Sequence, residues 1–193
     1  MRIIGGSAAG VILRAPKGLE VRPTPDLVRQ AIFNSLGARV VGARVLELFG
    51  GTGALSLECV SRGAAGALCV ELSRKHARFI EDNCAQARLP RESYQVRVQD
   101  VFTALPQLAE AGERFDLILA DPPFGEKNIG RRSVSLSQKL LDDPSLPMLL
   151  TADGRFILGH ASRDAVTVVP PWNDAKVMRH GDSTFRFLSV DEG

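Results

Sequence analysis

Residues 44–63 read RVLELFGGTGALSLECVSRG. This segment predicts a buried strand over 44–49, a glycine-rich turn and a helix over 54–62. Glycines in such a turn let the backbone bend sharply and approach a ligand closely. The turn departs from a dinucleotide fingerprint because Ser56 stands where the third glycine is expected. By itself it is consistent with either a tight loop or a nucleotide-binding loop.

The alternation of strands and helices continues after residue 63 towards the C-terminus. Further strands are predicted over 65–72, 94–99, 115–120 and 154–161. The helices between them are predicted over 73–89, over 101–111 with an interruption at Pro106, and once or twice within 133–154. The chain then ends in a predicted hairpin of residues 175–180 and 183–190. Such an alternation predicts a doubly wound α/β sheet that is mostly parallel and finishes antiparallel.

The N-terminal part of the chain has a different character. Residues 1–16 predict a small hairpin or extended arm. In the segment that follows, Thr24 is expected to cap a helix, with Pro25 at its first position and Gly37 at its end. The first forty positions contain six basic residues and only two acidic ones. The basic residues are Arg2, Arg14, Lys17, Arg22, Arg29 and Arg39. This excess indicates either a polyanion partner or a solvated surface.

Bulk composition narrows the class of protein. The 193 residues, of which 45% are hydrophobic, suit one globular domain or a domain with a small appendage. No apolar run approaches the ~20 residues of a membrane span, so no membrane partner is expected. Three cysteines without a CxxC motif and three unclustered histidines indicate neither disulfides nor a metal site. We therefore expect a cytoplasmic protein with buried thiols.

Four acids stand at or near the predicted carboxyl ends of consecutive strands, namely Glu47, Glu71, Asp100 and Asp121. Open α/β sheets bind ligands at that edge. An acid about twenty residues beyond the glycine loop, as Glu71 is, can accept both hydroxyls of a ribose. A carboxylate at Asp100 can accept a hydrogen bond from an adenine amino group. Each acid alone is as consistent with a helix cap, but together they indicate a nucleoside-containing ligand.

The segment LADPPFG, residues 119–125, ends the fourth predicted strand. Two prolines stop a strand because they cannot donate ladder hydrogen bonds. They also fix the direction of the preceding acid and of the following ring. The segment is therefore either a simple turn or a pocket that orients a flat molecule bearing an amine.

These motifs together resemble the bacterial 16S rRNA guanine-N2 methyltransferase D family of class I S-adenosylmethionine-dependent methyltransferases. The resemblance is carried, in chain order, by MRIIGG, RPTPDLVRQAIFNSL, LELFGGTGALSLECVSRGA, VELSRKHARFIEDN, DVF, LADPPF and HGDS. It implies a Rossmann-like, mostly parallel seven-stranded sheet with an antiparallel C-terminal hairpin and helices on both faces. It also implies methyl transfer from S-adenosylmethionine to the exocyclic N2 of a guanine in 16S rRNA or the assembling small subunit, by a protein that is a monomer.

The resemblance assigns roles to individual residues. The implied catalytic group that holds the target base is Asp121, Pro122, Pro123 and Phe124. The implied cofactor-binding residues are Glu47, Phe49, Gly50, Gly51, Thr52, Gly53, Glu71, Leu72, Asp100, Val101 and Asp121. The implied RNA-binding residues are Arg2, Arg14, Lys17, Arg22, Thr24 and Arg29. Residues 1–23 would form an RNA-contacting arm, and residues 24–193 the methyltransferase domain.

The chain departs from the family pattern at four positions. Glu47 and Phe124 stand where the family usually has Asp and Tyr, and Leu27 and Val11 where it usually has basic residues. Three alternatives remain: an adenine-N6 methyltransferase acting on DNA or RNA, a catalytically silent RNA-binding protein of the same fold, and a nicotinamide-dependent oxidoreductase. The last does not account for the D-P-P-F motif.

Overall fold

A computed structural model describes residues 1–15, 24–124 and 132–190 of the chain. The chain folds as two compact units, Met1–Val101 and Phe102–Gly193. The first unit contains the N-terminal hairpin, the glycine turn and three strands. The second contains four strands and the D-P-P-F segment.

The first unit has a parallel β-α-β-α-β core. Its elements are β1 (Arg44–Leu48), α2 (Ala54–Ser61), β2 (Gly66–Glu71), α3 (Arg74–Gln86) and β3 (Tyr94–Val98), preceded by α1 (Asp26–Leu36). Strand β2 lies between β1 and β3 and pairs with both in parallel. The side chain of Ser73 caps α3 by accepting a hydrogen bond from the amide of His76, as a serine before an amphipathic helix predicts. The predicted parallel core is confirmed.

The strand register aligns the carboxyl ends of the three strands. Leu48 pairs with Val70, and Glu71 pairs with Val98, so these strands end at one edge. Helix α2 is buried along its whole length, including the polar side chains of Ser56, Glu58 and Ser61. Polar side chains on a helix that is buried on every side need hydrogen-bond partners. Here the strands and the N-terminal hairpin provide these partners.

The start of α1 differs from the prediction. Pro25 occupies the cap position, and its carbonyl accepts the first helical bonds from the amides of Val28 and Arg29. Thr24 is therefore not the cap, and Pro25 is not the first helical residue. The extended ψ of 149° at Pro25 moves the start of the helix to Asp26. Gly37 ends the helix with φ 53°, as predicted.

The second unit begins within α4 (Val101–Glu110), which runs through Pro106 without the predicted interruption. It continues with β4 (Phe115–Ala120), α5 (Leu136–Asp142), α6 (Ser145–Met148), β5 (Leu150–Ala161), β6 (Trp172–His180) and β7 (Ser183–Val190). Strand β4 pairs with β5 in parallel, whereas β7 pairs antiparallel with both β5 and β6. The predicted C-terminal hairpin and mixed pairing are confirmed.

Both units contain many fully buried hydrophobic side chains, such as Leu46 in the first and Phe156 in the second. All three cysteines are free and buried, which confirms their predicted packing role. Among residues 1–15, 24–124 and 132–190, no helix combines the length and hydrophobicity that crossing a membrane requires.

Candidate active site

The glycine turn joins β1 to α2 and is held by the neighbouring strand. The amide of Gly50 donates to the Val70 carbonyl at 3.1 Å, and the amide of Gly53 donates back to the Gly50 carbonyl at 2.7 Å. Phe49 and Gly51 both have positive φ, 60° and 59°. The backbone therefore turns sharply between the end of β1 and the start of α2, as the sequence predicts.

The glycines of this turn face different surroundings. A methyl group at Gly50 would overlap the Cys69 sulfur and lie 3.0 Å from Ile80 Cδ1, so core packing requires a glycine there. The nearest atom to a methyl group at Gly51 would be the carbonyl oxygen of Phe49, at 3.8 Å. Gly51 thus presents an open backbone surface on which a ligand can approach closely.

Glu71 is the last residue of β2 and is only 7% exposed. One of its carboxylate oxygens accepts from the amide of Gly51 at 2.8 Å, and the other accepts from the amide of Ser73 at 2.7 Å. His76 Nδ1 lies 3.5 Å from the same carboxylate. A carboxylate offers about four acceptor positions, so Glu71 can support the turn and still accept ribose hydroxyls.

Glu47 lies in a buried polar cluster rather than at a solvent-facing edge. Its Oε2 accepts from the amide and hydroxyl of Ser56 and from the thiol of Cys69 at 3.6 Å. Ser56 Oγ also lies 2.6 Å from the hydroxyl of Tyr94. Burial raises the pKa of Glu47 from 4.5 to about 7, although these hydrogen bonds oppose the shift. Its charge therefore changes close to neutral pH.

The other predicted cofactor residues lie around the strand ends of the same unit. Asp100 is exposed just beyond β3, and Val101 is buried at the first position of α4. Leu72 is 67% exposed directly after β2. Thr52 is half-buried in the glycine turn. Exposed polar and apolar groups at one edge provide contacts of both kinds for a nucleoside.

The D-P-P-F segment follows β4 in the second unit. Asp121 is half-buried, Pro122 is buried, and Pro123 and Phe124 are exposed. The Phe124 ring is 40% exposed, which is unusual for a phenylalanine and leaves a flat surface accessible. Gly159 of β5 packs directly against the carboxylate of Asp121. The segment therefore places an acid and an accessible ring at the carboxyl end of a buried strand.

The predicted RNA-binding residues differ in accessibility. Arg14 is exposed, Arg2 has a side chain 67% exposed, and Thr24 is half-buried. Arg29 is completely buried; its Nη2 donates to the Arg2 carbonyl and to Asp26. The guanidinium therefore holds the hairpin against α1, and its direct contact with RNA stays a prediction. Lys17 and Arg22 lie outside the described residues.

The N-terminal segment forms the predicted hairpin, and it packs on the helices of the first unit. The amides of Ile4 and Gly5 donate to the buried carboxylate of Glu58 at 2.7 and 2.8 Å. The side chain of Asn83 bonds both backbone groups of Arg14. Sequence reasoning missed Glu58 and Asn83, whose only signal was a polar residue at an apolar helical position.

No group of three or more His, Cys, Asp or Glu side chains in the described parts of the chain could hold a metal ion. The groups that the site does present are carboxylates, backbone amides and an aromatic ring.

Comparison with known proteins finds chains of similar sequence. The chain is 38% identical to ribosomal RNA small subunit methyltransferase D of Escherichia coli over 124 residues, which are 64% of this chain and 60% of that relative. It is 30% identical to the Haemophilus influenzae protein of the same name over 136 residues, 70% of this chain and 69% of that one.

Two solved structures superpose on this chain over almost its full length. The Thermus thermophilus protein TTHA0928 superposes with a TM-score of 0.78 at 28% identity, covering 98% of this chain and 99% of that one. An Escherichia coli structure described as a candidate methyltransferase, yhhF, gives 0.79 at 29% identity, covering 100% and 99%. The predicted class I methyltransferase fold is confirmed, and S-adenosylmethionine is the cofactor that it implies. A family model described as Conserved hypothetical protein 95 matches residues 1–188, and the chain belongs to that family, in agreement with its resemblance to methyltransferase D.

Proposed function

We propose that this protein transfers a methyl group from S-adenosylmethionine to the exocyclic N2 of a guanine in small-subunit rRNA. The observation that carries the proposal is the D-P-P-F segment, in which Asp121 and the exposed Phe124 ring follow the buried strand β4. The small-subunit rRNA methyltransferases to which the chain is similar support rRNA as the substrate.

The residues after β4 suit the chemistry of an aromatic amine. The lone pair of guanine N2 is delocalised into the ring, so the amine is a weak nucleophile. Asp121 and a carbonyl of the proline pair can accept the two amine hydrogens, which favours localisation of the lone pair on nitrogen. The Phe124 ring offers a stacking surface, and stacking on a base contributes about 1–3 kcal/mol. The target guanine must leave its helix or loop to reach these groups.

The residues of the first unit fit the cofactor. The open backbone face at Gly51 allows close approach, Glu71 keeps acceptor capacity for a ribose, and exposed Asp100 can accept from an adenine amino group. When bound, the cofactor supplies a methyl group already activated on a sulfonium. The protein's task is then to hold the amine in line with that methyl, at the ~3–3.5 Å of a near-attack geometry.

The RNA side of the proposal rests on the N-terminal hairpin. The exposed side chains of Arg2 and Arg14 can pair with phosphates, which gives affinity without sequence specificity. Val11 and Leu27 reduce the positive charge of this surface relative to the family pattern. We therefore expect part of the substrate recognition to come from the shape of the RNA or of the subunit.

The test is transfer of labelled methyl groups to small ribosomal subunits that lack the modification, with naked rRNA and DNA in parallel. We expect N2-methylguanine at one rRNA position, lost with Asp121→Asn and retained with Asp116→Asn. Asp116 is a matched control because it lies on the same strand, where it accepts a hydrogen bond from Thr151. Label recovered as N6-methyladenine would refute the guanine assignment, and absence of label from every RNA would refute the activity.

A further inference from the structure

Asn83 links two segments that are distant in sequence. Its side chain, in the last turn of α3, is completely buried. The Asn83 Oδ1 accepts from the Arg14 amide at 2.8 Å, and its Nδ2 donates to the Arg14 carbonyl at 3.0 Å. The same Nδ2 donates to the Thr52 carbonyl at 3.1 Å. One amide therefore fixes the backbone of the N-terminal hairpin and that of the glycine turn.

The chemistry of the site explains why an asparagine is needed. One backbone amide and two backbone carbonyls face the side chain, so it must offer one acceptor and two donors. A primary amide has both donors on a single nitrogen, whereas an aspartate offers acceptors only. The carbonyls of Arg14 and Thr52, which are partly buried, would lose a partner without it, and leaving such groups unsatisfied costs free energy.

The link connects the two functional surfaces of the first unit. Thr52 adjoins Gly51, whose open backbone face is the proposed cofactor contact and whose amide is held by Glu71. The glycine turn is thus held by Glu71 on one side and by Asn83 on the other. Arg14 carries an exposed cation on the hairpin, and a second hairpin residue, Met1, lies 4.0 Å from Thr52 Oγ1 through its sulfur.

We propose that Asn83 is a positioning residue that couples the RNA-contacting hairpin to the cofactor-binding turn. The inference rests on the proposed function and deepens it. RNA held at Arg14 restrains the hairpin backbone, Asn83 transmits that restraint to Thr52, and the glycine turn is then already ordered for the cofactor. A ligand that finds its site ordered loses less conformational entropy on binding, so RNA and cofactor bind with positive cooperativity. Because coupling is reciprocal, the cofactor strengthens RNA binding by the same factor.

The first experiment measures binding of labelled S-adenosylhomocysteine, which cannot donate a methyl group, to the full chain alone and in complex with unmodified small ribosomal subunits. For the wild-type chain we expect the subunit to raise the affinity at least ~5-fold, the lower end of typical coupling. Asn83→Asp keeps the shape and the acceptor but removes both donors. We expect the ratio of its affinity with the subunit to its affinity without the subunit to fall to about one.

Gln86→Ala is the matched control. Gln86 lies on the same helix and donates to the Ile12 carbonyl of the same hairpin at 2.8 Å, but no described contact joins it to the turn. We expect it to retain the wild-type ratio. Equal loss of coupling in both variants would overturn the proposal, because attachment of the hairpin alone would then account for the coupling. An unchanged affinity ratio in Asn83→Asp would overturn it as well, because the side chain would then play no part in the coupling.

The second experiment uses only the wild-type chain, so it does not depend on the variant folding. Hydrogen exchange of the Arg14 amide should slow at least ~5-fold when S-adenosylhomocysteine binds in the absence of RNA. Unchanged exchange in a chain that binds the compound and methylates subunits would refute the coupling and leave the proposed function intact. A chain that neither binds the compound nor methylates subunits would refute the proposed function and this inference with it.

Discussion

Gly159 of β5 lies directly against the carboxylate of Asp121, in the space that a side chain at position 159 would fill. A methyl group there would overlap Asp121 Oδ1 and lie 2.8 Å from Phe185 Cε1. The position of the proposed catalytic acid therefore depends on the absence of a side chain in the neighbouring strand.

We expect Gly159→Ala to lower kcat by about 100-fold, because a shift of about 1 Å in a catalytic group has an effect of that size. Cofactor affinity, measured by equilibrium binding, should fall much less than kcat, because Asp121 is only one of the residues assigned to the cofactor. Gly66→Ala is the control, since its methyl would lie an ordinary 3.6 Å from the Ser93 carbonyl. A fully active Gly159→Ala would remove Asp121 from the proposed mechanism.

The exposed ring of Phe124 should act on substrate binding rather than on stability. We expect Phe124→Ala to raise the KM for RNA about 5–150-fold, as loss of about 1–3 kcal/mol of stacking implies. Phe124→Tyr keeps the ring and should retain the wild-type KM. Steady-state methylation of subunits with each variant measures the difference. Equal values for Ala and Tyr would mean that the ring does not contact the base.

Glu47 should make the free energy of unfolding depend on pH. Its pKa is about 7 in the folded chain, compared with 4.5 for an ordinary glutamate, the value expected in the unfolded chain. Between pH 4.5 and 7 the folded state therefore holds a proton that the unfolded state has released. Stability from this group is therefore complete below pH 4.5 and decreases as pH rises, by about 3 kcal/mol in all. Gln cannot titrate, so urea unfolding at pH 5 and 8 should show Glu47→Gln gaining stability relative to wild type at the higher pH. Parallel pH profiles would contradict the shift.

The two glycines of the turn should respond differently to the same substitution. Gly50→Ala forces a methyl group against Cys69 and Ile80, and we expect it to destabilise the fold by about 1–3 kcal/mol. Gly51→Ala projects its methyl group into open space, although its φ of 59° adds about 1–2 kcal/mol of strain. We expect Gly51→Ala to weaken S-adenosylhomocysteine binding most, as calorimetry would show. Equal affinity in wild type and Gly51→Ala would place the cofactor elsewhere.

Glu58 should hold the hairpin in place. Its buried carboxylate accepts from Ile4, Gly5 and Arg62 Nε, and removing one partner of a buried charged pair costs about 3–5 kcal/mol. We therefore expect Glu58→Ala to lower Tm and to make residues 1–15 susceptible to limited proteolysis. Glu110→Ala, at an exposed helical position, is the control. Protection of the hairpin in Glu58→Ala would show that its other contacts suffice.

The sequence was informative where a signal is local. The carboxyl ends of the strands, the glycine turn and the cap at Ser73 follow from residues within a few positions of one another, and the structure has them within one residue of the prediction. The amino ends were less well predicted, since β5 begins at Leu150 and not at residue 154. The predicted start of α1 differs from the observed one by one residue, because Thr24 and Pro25 are both acceptable near a helix N-terminus and backbone geometry decides between them.

Long-range contacts were beyond such reasoning. Glu58 and Asn83 look like ordinary polar residues of a helix, yet their partners are up to 54 and 69 residues away. Arg29 was grouped with the RNA-binding cations because charge patterns do not reveal burial. Whether an arginine reaches solvent is decided by the element that packs on it, here the hairpin through the Arg2 carbonyl.

The distance in sequence between the hairpin and its partners also sets an order of events during synthesis. The hairpin is bonded to Glu58 of α2 and to Asn83 of α3, and the Arg14–Asn83 contact spans 69 residues. At translation rates of about 5–20 residues per second, the first residues wait roughly 3–14 seconds before their partner emerges. During that interval the hairpin lacks its bonds to α3, so it completes its folding only after that helix has been made.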